Sequence, residues 1–135
     1  MDSFLSSCYN DEERECLACY VEILKQELGS SLLQIWLYGP VVRGDMWSRS
    51  MPMHSDIEVL VLTSESVDDK ALNRLLNATY PIYMECGRQI SPIFYDIEDI
   101  KVPKNKERKA FIERVKREGQ TIYRVKNNEL ADYLF

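Results

Sequence analysis

The sequence has few of the features that mark a specialised chain. Its 135 residues include only five glycines, five prolines and one histidine, and they contain no internal repeat or low-complexity tract. The longest clean apolar run, around residues 59–62, reaches about half a dozen residues, whereas a membrane-spanning helix needs roughly 20. The N-terminal residues lead into an acidic stretch at 11–13 without the basic region and long apolar segment of a signal peptide. These absences exclude a membrane span and predict a cytoplasmic protein.

The length and composition predict one folded domain over residues 1–135. Hydrophobic residues make up 45% of the chain and charged residues 29%, which is typical of globular proteins. A chain of this length buries roughly 65–70% of its unfolded surface. A core can therefore form without a disulfide framework or a structural metal.

The charge of the chain is acidic overall but unevenly distributed. Seventeen Lys and Arg against 22 Asp and Glu give a net charge of −5, which argues against a protein that coats nucleic acid through its phosphates. Residues 101–118 nevertheless contain eight basic and three acidic side chains. This stretch is either a solvated helix face or a surface for an anionic ligand or partner.

The cysteines Cys8, Cys16, Cys19 and Cys86 do not form a recognised metal or redox motif. The pair Cys16-x-x-Cys19 has a suitable spacing, but a zinc site needs a second ligand pair and a thioredoxin-like motif follows a strand. Here the pair lies within an amphipathic helical pattern. We therefore expect buried or half-buried free thiols.

The periodicity of apolar residues predicts alternating helices and strands. In chain order these are a helix over 10–28, a strand over 32–38, a turn and short helix to about 46, a loop to 55, a strand over 56–62, a helix after 66, a strand over 89–95, a helix over 104–118, a strand over 121–125 and helical residues near 130. Ser66-x-x-Asp69 resembles a capping box, Pro81 should kink or end its helix, and Pro92 favours an edge strand. The order predicts an α/β (α+β) fold with a small mixed sheet covered by helices.

Two acidic side chains open the strand over 56–62. Asp56 and Glu58 are two residues apart, so in a strand they point to the same face. A pair of carboxylates can hold a hard divalent cation and bridge it to phosphate oxygens. Taken alone, such a pair is more often a solvated rim than a metal site.

A glycine turn follows the preceding apolar strand. Gly39-Pro40 ends that strand, and Arg43-Gly44 comes shortly after it. Glycine turns allow close approach of the backbone to phosphate, and a guanidinium suits bidentate anion recognition. The alternative for Arg43 is a salt bridge to Asp45 or another surface acid.

The glycine-turn segment, residues 37–45, followed by the acidic strand segment, residues 55–61, resembles the motif of the minimal nucleotidyltransferases of the DNA polymerase β superfamily. The motif of that family is a hydrophobic strand, Gly-Ser, an Arg-Gly turn and then Asp-x-Asp at the start of the next strand. A looser likeness extends over about 30–125, through residues 90–95 and 118–119. The resemblance therefore covers most of the chain.

The resemblance implies a magnesium-dependent site for a nucleoside triphosphate, with ATP as the leading candidate. Asp56 and Glu58 would bind Mg²⁺ and carry catalysis, and the residues near the nucleotide would be Gly39, Pro40, Arg43, Gly44 and Ser55. The implied reaction transfers a nucleoside monophosphate to a hydroxyl acceptor, for which a partner protein is one candidate. The family also implies a helical partner in a toxin–antitoxin pair, with a homodimer as the alternative and nucleic acid expected only as an acceptor.

The chain also departs from the family pattern. Proline replaces the motif serine at Pro40, Glu58 replaces the second aspartate, and the loop between Gly44 and Asp56 is longer than usual. The third-strand acid of the family has no counterpart over residues 89–94, and Asp96 lies beyond the expected position. Two hypotheses follow, an active nucleotidyltransferase and a binding module that keeps the fold without the chemistry.

Overall fold

The computed structural model describes residues 11–38, 57–86 and 89–126. These residues form four strands, four α-helices and one short 3-10 turn. Their bounds in chain order are α1 Asp11–Leu28, the 3-10 turn Gly29–Ser31, β1 Leu32–Tyr38, β2 Ile57–Thr63, α2 Asp69–Cys86, β3 Ile90–Asp96, α3 Ile97–Lys101, α4 Lys106–Glu118 and β4 Gln120–Arg124. The predicted α/β order of these elements is confirmed.

The four strands of the described ranges form one mixed sheet in the order β3-β2-β1-β4. β1 pairs antiparallel with both β2 and β4, whereas β2 and β3 run parallel. Helix α2 lies between β2 and β3 in the chain and provides the crossover that a parallel pair requires. The small mixed sheet predicted from the sequence is confirmed.

The two central strands are buried between layers of helices. On one face, α1 and α2 pack against a cluster that includes Leu17, Leu24, Ile35, Leu37, Val59, Val61 and Leu75. On the other face, α4 packs against a second cluster formed by Leu33, Leu60, Leu62, Tyr95, Ile112 and Val115. β2 therefore faces apolar side chains on both sides, which explains its nearly continuous hydrophobic sequence.

Helix α1 begins and ends as its sequence predicts. Leu17, Tyr20 and Leu24 recur at helical spacing and are almost completely buried. Gly29 follows the last helical residue with a φ of 56°, a left-handed conformation that glycine adopts without a steric penalty. The helix stops here because the chain can turn at this residue.

Helix α2 continues through Pro81 to Cys86, so of the two effects predicted for Pro81, a kink or an end of the helix, the end is wrong. Pro81 has no N–H to donate to the carbonyl group of Asn77. Its exposed position leaves that carbonyl open to water, and the next residue, Ile82, is buried against the core. Burial of Ile82 offsets the lost helical hydrogen bond.

The predicted capping box at Ser66-x-x-Asp69 is also wrong. Asp68 caps α2 instead, because its carboxylate accepts a hydrogen bond from the backbone N–H of Ala71 at 2.8 Å. The hydroxyl group of Ser66 donates to Asp96 at 2.7 Å. A side chain thirty residues away in sequence has therefore replaced the local partner.

β3 is an edge strand in the sheet, as Pro92 predicts. The short helix α3 that follows it was not predicted. The predicted turn, helix and loop over 39–55 and the helical residues near 130 lie outside the described residues. Across the ranges that the structure describes, no helix is both long and apolar enough to cross a bilayer.

Candidate functional site

The candidate site lies where β1 ends and where β2 and β3 begin. Tyr38, the last residue of β1, pairs with Glu58 of β2. Glu58 in turn pairs with Ser91 of the parallel strand β3, and the N–H of Ile57 donates to the carbonyl of Gln89 at 2.9 Å. Directly paired residues present their side chains on the same face of a sheet. Tyr38, Glu58 and Ser91 therefore form one row across three strands.

The row faces the side of the sheet that α4 covers. Tyr38 packs against the cluster under α4, and Leu60, two residues beyond Glu58, belongs to it. Glu58 is half-buried at the rim of this layer. Its carboxylate is thus held at the edge of the sheet rather than in the core.

The pKa of Tyr38 reflects the electrostatic environment beside Glu58. Burial, together with the smaller effects of the negative charges of Glu58 and Tyr95, raises the pKa of the Tyr38 phenol to about 12. An ionised phenol here would be desolvated and next to a carboxylate. Tyr38 therefore stays protonated and can donate a hydrogen bond at neutral pH.

Aromatic packing from α4 fixes the position of Tyr38. The ring of Phe111 lies 5.0 Å from that of Tyr38 and 6.0 Å from that of Tyr95, at interplanar angles of 83° and 81°. Such edge-to-face contacts favour one ring orientation. Phe111 thereby links the end of β1 to β3 and holds the rim of the site in place.

The α4–β4 connection approaches the end of β1 closely. A Cβ atom at Gly119 would lie 2.5 Å from the carbonyl oxygen of Val115 and 3.0 Å from that of Leu37. The absence of a side chain at Gly119 permits this contact, since both neighbours are backbone atoms. Leu37 is the penultimate residue of β1, so Gly119 supports the backbone just before the predicted phosphate turn.

Most of the predicted site residues cannot be placed. Glu58 lies in the described part of the chain, at the start of β2. The remaining candidates lie outside the described residues: Gly39, Pro40, Arg43, Gly44, Ser55 and Asp56. Their proximity to Glu58 stays a prediction.

The strand β3 brings a hydroxyl group, not a carboxylate, next to Glu58. Ser91 occupies the paired position. Asp96 pairs with Thr63 at the opposite end of the same strand, five residues from Ser91 and therefore about 16 Å away at about 3.3 Å per residue. As expected from the sequence, Asp96 is too far along the strand to complete a metal site with Glu58.

Asp96 instead caps α3. Its carboxylate accepts from the backbone N–H of Asp99 at 2.8 Å and from Ser66 at 2.7 Å, while Asp99 accepts from the N–H of Asp96 at 3.0 Å. Partial burial acts to raise the pKa of Asp96, but these hydrogen bonds outweigh it and hold the pKa below its usual value. The Asp96 side chain therefore has a structural role, in its hydrogen bonds with Asp99 and Ser66.

The two carboxylates predicted from the sequence, Asp56 and Glu58, would suit a single magnesium ion held together with a phosphate ligand. Within the described ranges, no three His, Cys, Asp or Glu side chains are grouped so that they could hold a metal. Asp56 and Glu58 would supply two carboxylates. Magnesium is commonly bound by one or two carboxylates, with water and substrate phosphates completing its shell. The residues are therefore compatible with a magnesium–nucleotide complex.

A cavity of about 290 Å³ lies near this edge of the sheet but on the opposite face. It is lined by Tyr20, Leu76, Tyr80, Tyr83, Gln89 and Ile90. Ile90 pairs with Ile57, the residue before Glu58. Because successive side chains of a strand alternate between faces, Glu58 and this cavity lie on opposite sides of the sheet.

Solved structures share this fold, although no family model and no curated protein sequence matches the chain. Spectinomycin adenyltransferase AAD(9) from Enterococcus faecialis, in a structure with ATP and spectinomycin, has a TM-score of 0.67 and 19% identity over 90% of this chain and 59% of that chain. A toxin–antitoxin structure with AMP-PNP has a TM-score of 0.54 and 15% identity over 93% of this chain and 84% of that chain. The toxin–antitoxin MntA-HepT has a TM-score of 0.51 and 15% identity over 89% and 80%.

The chain has the minimal nucleotidyltransferase fold. The fold that the residues of the two motif segments imply is thus confirmed. At these identities the similarity establishes the architecture alone. The chain covers 59% of the length of the adenyltransferase, so the remaining part of that enzyme has no counterpart in the residues compared.

Sequence reasoning missed two members of the row at the site edge. Both lie within segments that resemble the family, 37–45 and 90–95, but neither is predicted as a site residue. The sequence carries one usable signal, because Tyr38 immediately precedes the Gly39-Pro40 turn. The pairing of Ser91 with Glu58 depends on the register of a parallel pair, which no local pattern contains.

Proposed function

We propose that this protein binds a magnesium–nucleoside triphosphate, with ATP as the leading candidate, at the edge of the sheet where β1 ends and β2 begins. It transfers the nucleoside monophosphate to a hydroxyl group and releases pyrophosphate. The observation that carries this proposal is the position of Glu58, at the start of β2 and beside the last residue of β1. The nucleotidyltransferase fold supports it, since structures of this fold include one with ATP and one with AMP-PNP.

In this proposal Asp56 and Glu58 hold the magnesium ion. Gly39, Pro40, Arg43, Gly44 and Ser55 lie near the triphosphate. Arg43 supplies a planar cation that suits phosphate oxygens, and Ser55 supplies a hydroxyl donor.

The bound ion would neutralise phosphate charge and orient the triphosphate for in-line displacement. With only two carboxylates, the site holds Mg²⁺ weakly without a nucleotide and more strongly when triphosphate oxygens complete the shell. Tyr38, protonated and paired with Glu58 across the two strands, borders that carboxylate. Magnesium and nucleotide binding should therefore be coupled.

The alternative function is a binding module that has kept the fold and lost the transfer reaction. Ser91, a hydroxyl where the family pattern expects a third acid nearby, favours this alternative. Charge that bridges the attacking and leaving oxygens makes a large contribution to phosphoryl transfer. A module of this kind would act through protein–protein interaction.

We also propose that the chain works with a protein partner, either a helical protein or a second copy of itself. Within the described residues, the edge strand β3 has no neighbouring strand on its outer side, and such edges are commonly covered. The fold also occurs in toxin–antitoxin pairs. Light scattering on the purified chain tests the homodimer, and co-expression with a candidate helical partner tests the heteromer. A monomer that remains alone in both assays contradicts this part of the proposal.

Calorimetric titration of ATP into the protein, with Mg²⁺ and with a chelator, tests nucleotide binding. A transfer assay with ATP labelled on the α-phosphate then separates the two functions. Magnesium-dependent binding together with label on an acceptor supports the enzyme. Binding without transfer to any offered hydroxyl acceptor supports the module, and no binding contradicts both.

A further inference from the structure

Three free cysteines gather where α1 and α2 meet, on the face of the sheet opposite Glu58. Cys16 is buried, Cys86 is half-buried and Cys19 is exposed. Cys16 and Cys19 lie on α1, and Cys86 is the last residue of α2. The sequence indicated free thiols but gave no reason to bring Cys86 to the others.

The two helices are antiparallel, which places these thiols at one end of the pair. Near the end of α1, Glu27 forms an ion pair with Arg74 near the start of α2, at 3.7 Å. Near the start of α1, Cys16 lies next to Cys86 at the end of α2, close enough for the two thiols to interact. Both cysteines also pack against the same hydrophobic cluster. The contact between the two sulfurs is therefore part of the helix–helix interface.

One member of the thiol pair, Cys16, lines a cavity. A space of about 270 Å³ is lined by Glu15, Cys16, Cys19, Ile82 and Glu85. It borders the buried Cys16 and the exposed Cys19, and it has a carboxylate on each helix. A small molecule can reach the thiols, and positive charge on that molecule favours its entry.

We propose that Cys16 and Cys86 are a modification site at which a low-molecular-weight disulfide oxidises the pair to a disulfide that links α1 to α2. The thiol–thiol contact is the main reason. A disulfide needs its sulfurs about 2.05 Å apart with specific side-chain dihedral angles. Cys16 and Cys86 already interact across the helix–helix interface, so the link would form between neighbouring side chains.

The reaction proceeds by two exchange steps. The thiolate of the more accessible Cys86 attacks one sulfur of the oxidant RSSR, forms a mixed disulfide and releases RS⁻. Cys16 then loses its proton to solvent and attacks the Cys86 sulfur, and the second RS⁻ leaves. Both cysteine sulfurs are oxidised, RSSR is reduced to two RSH, and no other reactant is needed.

The environment of Cys16 makes the second step slow. Burial, followed by the contact with Cys86, raises the pKa of the Cys16 thiol to about 12. The nearby Glu85 acts in the same direction. The mixed disulfide on Cys86 should therefore accumulate before the link closes, and closure should speed up as the pH rises.

Cystamine, a cationic disulfide, and oxidised glutathione, an anionic one, are the probes for this site. The full-length protein is treated with each probe, its remaining thiols are alkylated, and it is digested with trypsin. Cleavage after Arg14, Lys25, Arg74 and Arg88 separates peptide 15–25, which carries Cys16 and Cys19, from peptide 75–88, which carries Cys86. We expect these two peptides to be linked, and we expect cystamine to react several-fold faster than glutathione disulfide at low ionic strength.

Two variants assign the link to individual cysteines. The linked peptides should persist in Cys19→Ser and disappear in Cys86→Ser. Oxidation should raise the melting temperature of Cys19→Ser by about 5–15 °C, because the link closes a long loop, and a thiol reductant should reverse the shift. The mapping of the unsubstituted chain is an independent test should Cys86→Ser fold poorly.

Three results would overturn the proposal. One is a disulfide within peptide 15–25, which joins Cys16 to Cys19. Another is a link from Cys86 to peptide 1–14, which carries Cys8. The third is a Cys86 that stays alkylatable in Cys19→Ser after prolonged treatment with cystamine.

Discussion

Tyr38 and Glu58 face each other across the antiparallel pairing of β1 and β2, on the side of the sheet that α4 covers. The phenol is packed against Phe111, and the carboxylate stands at the rim. Their electrostatic coupling can be measured directly. It tests the geometry of the site without any assumption about the nucleotide.

Glu58→Gln should lower the pKa of Tyr38 from about 12 but leave it above 10.0, because burial is the largest contribution and persists in the variant. NMR titration of ring-labelled tyrosine measures this shift, and the signal lost in Tyr38→Phe assigns it. Glu113→Gln, an exposed change on α4, is the matched control and should leave Tyr38 unaffected. An unchanged Tyr38 titration in Glu58→Gln would contradict the observed pairing.

Ionisation of Tyr38 should lower the stability of the protein at high pH. The folded-state pKa of Tyr38, about 12, exceeds its unfolded value of 10.0. Its contribution to stability is thus complete below pH 10 and is lost as the pH rises from 10 towards 12. Urea unfolding across this range should show a smaller loss for Tyr38→Phe, which has no phenol to ionise. Equal losses in the two proteins would show that Tyr38 ionises freely in the folded state.

The proposed metal ligands predict separable effects on binding and stability. Asp56→Asn should abolish magnesium-dependent ATP binding and change the free energy of unfolding by no more than about 1 kcal/mol, as for a rim residue. Glu58→Gln should weaken the same binding, since it removes the second carboxylate. Calorimetry with and without Mg²⁺ measures both effects. Equal nucleotide affinity in Asp56→Asn and the unsubstituted protein would remove Asp56 from the site.

For Asp96, in contrast to Asp56 and Glu58, we predict an effect on stability and none on nucleotide binding. Asp96→Ala removes the cap of α3 and the acceptor for Ser66, and should cost about 1 kcal/mol of stability. It should leave magnesium–ATP affinity unchanged, because Asp96 lies at the far end of β3 from Glu58. Since the pKa of Asp96 is lowered on folding, its contribution is present above its unfolded pKa and is lost as the pH falls below it. A large loss of nucleotide affinity in Asp96→Ala would identify Asp96 as a ligand after all.

Gly119→Ala should destabilise the protein by about 1–3 kcal/mol, as expected for an added methyl group without space. The new Cβ would meet backbone oxygens of Val115 and Leu37, and neither can rotate away. Gly29→Asn is the control, because no atom lies within 4 Å of the Cβ position there and asparagine tolerates a positive φ. Denaturant unfolding compares the two variants. A fully stable Gly119→Ala would mean that the α4–β4 connection can move away from β1.

The part of the fold that the sequence predicts is the part with strong local patterns. Helix α1 follows from the spacing of Leu17, Tyr20 and Leu24, and β1 from a short apolar run that ends at Gly39. The bounds of both elements agree closely with prediction. Predictions from local patterns were wrong where contacts with distant residues decide the structure. Helix α2 continues through Pro81 because the next residue, Ile82, is buried in the core. The hydroxyl group of Ser66 binds Asp96 and does not cap the helix that follows it.

The same distinction applies to the candidate site, where local sequence predicts some features and distant residues decide others. Period two predicts that Asp56 and Glu58 share a face, since only two residues separate them. The neighbours of Glu58 require strand order and register, which involve Tyr38 and Ser91 at twenty and thirty-three positions' distance in the chain. The sequence therefore identifies the type of site, whereas the structure identifies the hydroxyl groups that border its carboxylate.

Pro40 distinguishes the two proposed functions. In the family motif the residue after glycine is a serine, which offers a hydroxyl group and a backbone N–H to the triphosphate, and proline has neither. A hydrogen bond to a charged partner contributes about 1.5–3 kcal/mol, or roughly 10- to 150-fold in affinity. Pro40→Ser should therefore tighten magnesium–ATP binding by at least about tenfold.

The matched control is Pro40→Ala, which restores the N–H without the hydroxyl and should give a smaller gain than Pro40→Ser. Titration of ATP into the three proteins at one magnesium concentration measures the series. A graded increase from proline to alanine to serine places a phosphate group next to residue 40, because each step adds one donor. If neither variant gains affinity, residues 39 and 40 do not form a phosphate turn, and the binding module becomes the better account of this chain.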